Sequence, residues 1–528
     1  MILNKGIKYI PHKKFPYTRI IEKFDAHIKY ITESILKKEK HLPKTWNMYK
    51  NFIRVEFIEE LFKFSLDHPS QKDEKVLYNF LSINQLLLKA ADKNLGWVLM
   101  DESWYHIKVM EHLLDDKIYK IVSPPDCNKI SEEFKKILID HGFTKEVIKE
   151  LIAPQDVNIP IFQIIPKVHK SIPTGRPVVP NLNSPSTQAS IWVDKQLKRV
   201  LNLFPWIIDG TKEMVRRLEQ TTFNISDPVL ISGDVTSMYT HIPIDRAIFW
   251  YKWFFTVYNI RFNSGIMKIP FPYTSAQWDK ILIVLEWVLR NNYLRYQNKF
   301  YLQISGTAMG TNCAPNFAQI FLGILEWKYC HLKPIPRCLP PGYTRFIDDT
   351  WMISERSQIE STKNIIRSIA TVFSWTFEIG QSVPFLDLRT HIGKNFKRHQ
   401  RVDFEPYEKP FNSHLYTDPY QNYPTNYKFS WIQGEAIRML RNSSTKKTFM
   451  SKLYEFRSNL FNRNYPKDIV EKYLNKVQWE HRPKYLEILK TPPFAKKVIT
   501  LDYNPLWELF EDKTHDLLKN TSLAEYSL

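Results

Sequence analysis

Apolar and polar positions along this chain keep changing period, and the changes mark out its elements. Tyr343-Thr344-Arg345-Phe346-Ile347 and Thr350-Trp351-Met352-Ile353 are two alternating arms that meet at Asp348-Asp349, which predicts a tight β-hairpin with the acids at its tip. Val229-Leu230-Ile231 is a continuous apolar run, predicted to be a strand, that ends in Ser232-Gly233-Asp234. A second hairpin is predicted over Tyr293 to Ile304 around Gln297-Asn298-Lys299, and short strands at Ile164 to Lys167 and Thr174 to Val179 flank a basic turn. Phe377 to Gly380 and Val383 to Leu388 read as a further strand pair. Helical spacing governs Ser190 to Leu203, the aromatic-rich Asp245 to Tyr258, Pro315 to about His331, and Gln358 to Phe373 with Ile359, Ile366, Ile369 and Phe373 on one face. A helix-period set at Phe52, Val55, Phe57, Ile58, Leu61 and Phe62 marks a mostly helical N-terminal stretch. Helices and strands mixed in this order predict an α+β protein.

Two adjacent carboxylates at a turn repel each other, and a bound divalent cation, Mg2+ by this reading, offsets the repulsion. Taken alone, an Asp-Asp turn is most often just solvated, because aspartate favours turns. Its companions change the picture. Asp234 closes a strand, and between it and the pair lies Gly306-Thr307-Ala308-Met309-Gly310-Thr311-Asn312-Cys313-Ala314-Pro315, a small-residue turn with Pro315 placed to open a helix. Two-metal phosphoryl transfer needs acids from separate strands that converge on cations ~3.5–4 Å apart. Asp234 and Asp348 fit as metal ligands for two Mg2+ ions, with Mn2+ able to substitute, and Asp349 supports them by charge. Strand-Asp, Gly-loop-helix and Asp-Asp hairpin, in this order, are the parts of a nucleotide-polymerase palm.

Composition narrows the partners. The 528 residues carry 74 Lys and Arg against 55 Asp and Glu, a net charge of +19, which favours a polyanion. Arg176 can hold triphosphate oxygens through two donors at once, with Lys167 as a second positive contact. The four cysteines show no CxxC spacing, so neither a zinc site nor a disulfide framework is expected. The most apolar stretch, Ile281 to Leu289, is short and interrupted by Glu286, and the first twenty residues hold no signal-like run. A soluble, intracellular protein with no membrane partner is expected, with the nucleus one open compartment if the source is eukaryotic; its compartment and oligomeric state are not legible.

The segments Asp234-Val-Thr-Ser-Met-Tyr-Thr-His-Ile-Pro243, Gly306-Thr-Ala-Met-Gly310, Arg345-Phe-Ile-Asp-Asp349 and Val383-Pro-Phe-Leu-Asp387 together resemble the reverse transcriptases of Penelope-like retroelements, and more distantly telomerase and retroviral enzymes. The resemblance runs from about residue 85 to about 475. It implies a right-hand polymerase of fingers, palm and thumb with a helical N-terminal extension: 1–85 extension, 86–225 fingers with part of the palm, 226–395 palm, 396–475 thumb, 476–528 tail. It implies an RNA template, a DNA primer or RNA–DNA hybrid, and dNTP substrates. Tyr239 then lies beneath the sugar of the incoming nucleotide, and Gly310 lets backbone approach a base pair or template nucleotide. Residues 391–467 hold 14 Lys and Arg against 6 Asp and Glu, and Arg438, Arg441, Lys446 and Lys447 are the expected contacts to nucleic-acid phosphates. Many relatives continue into a GIY-YIG endonuclease; the sequence stops at Leu528 without one, so a truncated or endonuclease-lacking member is expected. Two alternatives stay open: an RNA-dependent RNA polymerase, and a non-catalytic nucleic-acid-binding protein that retains a palm.

Overall fold

The strand that carries Asp234 lies inside a sheet, and its sequence explains why. A computed structural model describes residues 70–152, 157–168, 172–332, 338–410, 412, 414–419 and 428–487, together with 25, 28, 29, 32, 33, 50, 51, 54 and 55. Of the N-terminal apolar set only Val55 falls among them; the expected tail beyond 487 lies outside.

In chain order the strands are β1 (Leu86–Ala90), β2 (Trp97–Asp101), β3 (Tyr119–Val122), β4 (Gln163–Lys167), β5 (Thr174–Val178), β6 (Pro228–Thr236), β7 (Tyr293–Tyr296), β8 (Lys299–Gln303), β9 (Thr344–Phe346), β10 (Asp349–Glu355), β11 (Ser374–Gly380), β12 (Ser382–Phe385), β13 (Leu388–His391) and β14 (Asp403–Pro406). The central sheet has the order β11-β6-β10-β9, so β6 and β10 are its two inner strands. Val229, Leu230 and Ile231 in β6, and Trp351, Met352 and Ile353 in β10, are all buried whichever way they point. That is the pattern of strands covered on both faces.

One cover is the helix Ala314–His331, apolar nearly all round and packed in the same core as Ile231, Val235 and Met352. The helices Thr187–Val200, Ile244–Asn263 and Ser275–Arg290 complete that core, and the aromatic residues of the second are mostly within it: Tyr251, Phe254 and Tyr258 are buried, and Phe254 packs edge-on against Trp327. The amphipathic helix expected near 358–373 spans Ile359–Ile369, with Ile366 buried. Smaller sheets are β1-β2, β3-β8-β7 and β4-β5.

One pairing differs from expectation. Phe377 to Gly380 does not pair with Val383 to Leu388. β11 lies against β6 along its whole length, from Ser374 opposite Thr236 to Gly380 opposite Leu230, while β12 pairs with β13 and β13 with β14. The two runs adjoin in sequence, but the backbone groups along one edge of β11 pair with β6 of the central sheet. The turn at Leu386, where φ is +55°, folds β12 onto β13 instead.

The described residues divide into two compact units: those within Leu87–Ser413 and Met439–Lys452, and those within His414–Arg438, 453–487 and 25–86. The second has its own aromatic cluster: Trp431 packs against Tyr416, Phe456 and Tyr465, and the Tyr465 hydroxyl donates to the Thr417 carbonyl.

Candidate metal centre and nucleotide cleft

Antiparallel pairing of β10 with β6 puts Asp349 directly opposite Asp234. Asp348 occupies the two-residue turn between β9 and β10, after Ile347, whose φ of +54° is the left-handed region that β-branched residues avoid. The hairpin is therefore as the sequence predicts, except that only Asp348 lies in its tip: Ile347 takes the other turn position and Asp349 opens β10, paired with Phe346. The Asp348 carbonyl accepts from the Val235 amide at 3.2 Å, tying the tip to the strand that carries Asp234. One carboxylate oxygen from each of Asp234, Asp348 and Asp349 lies within 4.8 Å of the others.

The electrostatics of this triad are those of a site short of positive charge. Burial pushes the Asp349 carboxyl up to about 7, and the charges of Asp348 and then Asp234 push in the same direction. Asp348 is also raised, chiefly by burial, against the pull of its own backbone amide and of Arg176 and Arg345. Two half-buried carboxylates with the exposed Asp234 this close to them fit a divalent cation: all donors are hard oxygens, as Mg2+ and Mn2+ prefer, and a cation removes the repulsion that protonation of Asp349 otherwise relieves.

A pH dependence follows. Below the unfolded value of 3.8 Asp349 is protonated in both states; between there and about 7 the folded protein keeps a proton that the unfolded chain has released. Metal-free protein therefore loses stability as pH rises through that window, by on the order of 4 kcal/mol once it is crossed. Urea unfolding in EDTA at pH 5 and pH 8 measures this. Asp349→Asn should flatten the dependence, and Mg2+ should restore the wild type at pH 8; an equal loss in the Asn variant assigns the effect elsewhere.

The triad forms part of the wall of a cleft of about 870 Å3, which also takes in Asp92, Lys93, Lys167, Arg176, Gly210, Thr211, Phe377, Asp387, Tyr407 and Lys409, a volume in the range of small-molecule sites. Lys167 and Arg176 sit on one face of the β4-β5 ribbon, where Arg176 lies opposite Ile165 and Lys167 opposite Thr174. Arg176 makes an ion pair of 3.2 Å with Asp92, a partner the sequence reading did not give it. Asp92 and Lys93 lie in the loop between β1 and β2, where Lys93 adopts φ +63°.

Tyr239 and Gly310 are not among the residues that line the cleft. Tyr239 is half-buried against the core, and burial, then the charge of Asp348, raises its hydroxyl to about 12. Gly310 does permit a close approach, but to the chain's own backbone: a Cβ there would sit 2.0 Å from the Val179 carbonyl oxygen. Gly306 is likewise closed in by the carbonyl of Tyr239, at 2.0 Å.

The four basic residues expected on nucleic acid are not equivalent. Arg438 is held by Glu435 through two hydrogen bonds of 2.9 and 2.6 Å, which spends much of its charge within its own helix. Lys446 and Lys447 are exposed at the start of the helix Lys446–Asn462, and Arg441 is half-buried at the end of Ser430–Arg441.

Sequence reasoning missed Lys409, whose positive charge acts on Asp349. In sequence it belongs to the basic stretch grouped with the thumb. What carries it to the acids is the β13-β14 pairing and a hydrogen bond of 2.8 Å from the Tyr407 amide to the Asp387 carbonyl, neither legible from local pattern. It also missed Arg345 and Glu326, which form a wholly buried ion pair beneath the acidic turn.

No protein-family model matches the sequence, and no curated protein matches it. Among solved structures, the chain is similar to telomerase from Candida albicans in complex with a fragment of telomeric RNA, at a TM-score of 0.49 and 10% identity, covering 90% of this chain and 85% of that one. It is similar to apo telomerase from Candida tropicalis at 0.39 and 10%, covering 89% and 80%. An insertion-loop deletion mutant of the RNA-dependent RNA polymerase of a human picobirnavirus gives 0.41 and 10%, covering 82% and 91%. Among the described residues no helix is long and apolar enough to cross a membrane.

Proposed function

We propose that the protein is an RNA-directed DNA polymerase that adds deoxyribonucleotides to a primer 3′-hydroxyl on an RNA template. The observation that carries the reading is the register that sets Asp349 opposite Asp234 with Asp348 beside them, in a cleft that also holds Lys167 and Arg176. Asp234 and Asp348 would hold the two divalent cations, and Asp349 adds charge. The cations, when bound, neutralise charge on the transferring phosphoryl group and activate the attacking hydroxyl. What remains for the chain is positioning, because phosphoryl transfer needs no covalent protein intermediate. Arg176 and Lys167 meet the triphosphate, and a substrate phosphate competes with Asp92 for the Arg176 guanidinium. Lys446 and Lys447 contact duplex phosphates without reading sequence.

The choice of deoxyribonucleotide is assigned to Tyr239. The charges of Asp348 and Arg176 both reach its hydroxyl, so the ring lies at the junction of metal centre and triphosphate contact. A ring beneath the sugar leaves no room for a 2′-hydroxyl, and a ribonucleotide must shift its α-phosphate; a ~1 Å misplacement costs on the order of a hundredfold in rate.

The test is primer extension on one RNA template with deoxyribonucleotides or ribonucleotides, with and without Mg2+. Wild type should require the metal and prefer deoxyribonucleotides, and Tyr239→Val should lose selectivity mainly by using ribonucleotides faster. A wild type that prefers ribonucleotides makes the protein an RNA-dependent RNA polymerase instead. No metal-dependent extension with either substrate leaves a nucleic-acid-binding protein.

A further inference from the structure

Directly under the Asp-Asp turn lies a charged pair that the proposed chemistry does not use. Arg345, on β9, and Glu326, on the helix Ala314–His331, are both fully buried. The guanidinium donates through Nε to Glu326 Oε1 at 2.6 Å and through Nη2 to Oε2 at 2.8 Å. Glu326 also accepts from the Tyr343 hydroxyl at 2.6 Å and from the Trp206 indole N–H. Two donations remain to Arg345: Nη2 reaches the Gln319 carbonyl and Nη1 the carbonyl of Ile347, each at 2.9 Å.

That last bond is the informative one. A buried ion pair is costly to desolvate, and apolar residues of similar volume often replace such pairs without loss of stability. An apolar replacement cannot, however, hold a carbonyl. Ile347 is the residue just before Asp348, and it is β-branched with φ at +54°, a conformation that persists only where the surroundings impose it. The guanidinium fork joins the helix carbonyl, the Glu326 carboxylate and the strained turn. The backbone of Arg345 is fixed too: its amide donates to the Trp206 carbonyl at 2.9 Å, and its carbonyl accepts from Ile208 at 3.0 Å.

We infer that Arg345, clamped by Glu326, is a positioning residue that holds the Ile347 carbonyl and thereby sets the Asp348 carboxylate for divalent-cation binding. The inference rests on the reading of the acidic triad as a metal centre, and its test separates the two.

The experiment uses the full chain with Arg345→Met and Glu326→Leu combined, which removes both charges and leaves neither buried alone. Three quantities are read: the unfolding midpoint, Mn2+ affinity by electron paramagnetic resonance, and the Mg2+ concentration for half-maximal extension. Partners that orient metal ligands are worth about 10–100-fold in metal affinity. The expected result is a variant that still folds, with a midpoint lowered because the Tyr343 hydroxyl and Trp206 indole lose their acceptor, Mn2+ binding weakened at least tenfold, and a parallel rise in the Mg2+ requirement. Wild-type Mn2+ affinity in the folded double variant overturns the inference and leaves the polymerase reading intact. If wild type extends no primer but the variant still binds Mn2+ more weakly, the polymerase reading fails and the positioning role stands. Should the double variant not fold, Arg345→Lys keeps a charge opposite Glu326 but loses the fork to Ile347. It should weaken Mn2+ binding several-fold, and unchanged binding overturns the inference.

Discussion

On the proposed polymerase reading, replacing Asp348 with alanine is expected to slow primer extension about a thousandfold and to leave the folded protein at least as stable in the absence of metal. The loss corresponds to about 4 kcal/mol of transition-state stabilisation, the scale expected when a metal ligand is removed. The stability half of the expectation comes from the same geometry. Asp348 is half-desolvated beside Asp349 and Asp234, and its charge helps push the Asp349 carboxyl up to about 7. Truncation removes that repulsion, while the bond that anchors the turn uses the backbone carbonyl of residue 348 and survives. Extension by the variant is measured next to its urea midpoint in EDTA. Near-normal extension would sink the metal assignment; slow extension with a large fall in the midpoint would mean that Asp348 acts through the fold.

Gly310→Ala is expected to destabilise the protein by roughly 3–5 kcal/mol, the upper range for a single substitution. Two costs add. The backbone at Gly310 has φ +127°, which an L side chain rarely adopts, and the new Cβ would lie 2.0 Å from the Val179 oxygen and 2.8 Å from its carbon. Neither atom belongs to a flexible side chain, so backbone must part. The segment displaced follows β5, the strand that carries Arg176, and its bond from the Val179 amide to the Met309 carbonyl at 2.8 Å is lost. Chemical denaturation reads the stability change. A variant within 1 kcal/mol of wild type would show that the Gly310 loop can lift from β5 without cost.

Much of this was legible because it is written locally. The acidic hairpin follows from alternation on either side of two aspartates, the strand at 229–234 from an unbroken apolar run, and the helix at 314–331 from Pro315 and its apolar periodicity. Each depends on residues within a few positions of one another, where period and turn chemistry act directly. The sequence also carried the choice of Lys167 and Arg176 as neighbours, since two short strands and a turn leave them one face to share.

Other features depend on residues far apart in the chain. β11 joined β6 rather than the run that follows it, its backbone hydrogen bonds going to a strand more than a hundred residues earlier. Arg176 met Asp92 and Lys409 met the acids through sheet and loop pairings that no local period encodes. Glycine at 310 announced a tight approach, but only the tertiary structure showed that the approaching group is the Val179 carbonyl. The Arg345–Glu326 clamp is the clearest case. In sequence an arginine before Phe-Ile-Asp-Asp reads as one more polar position of an alternating strand, and burial of the whole ion pair decides otherwise. By itself the sequence determined which acids could meet, through spacing and alternation; the packing of helix on sheet decided what holds them there, since desolvation and long-range partners exist only once the chain has folded.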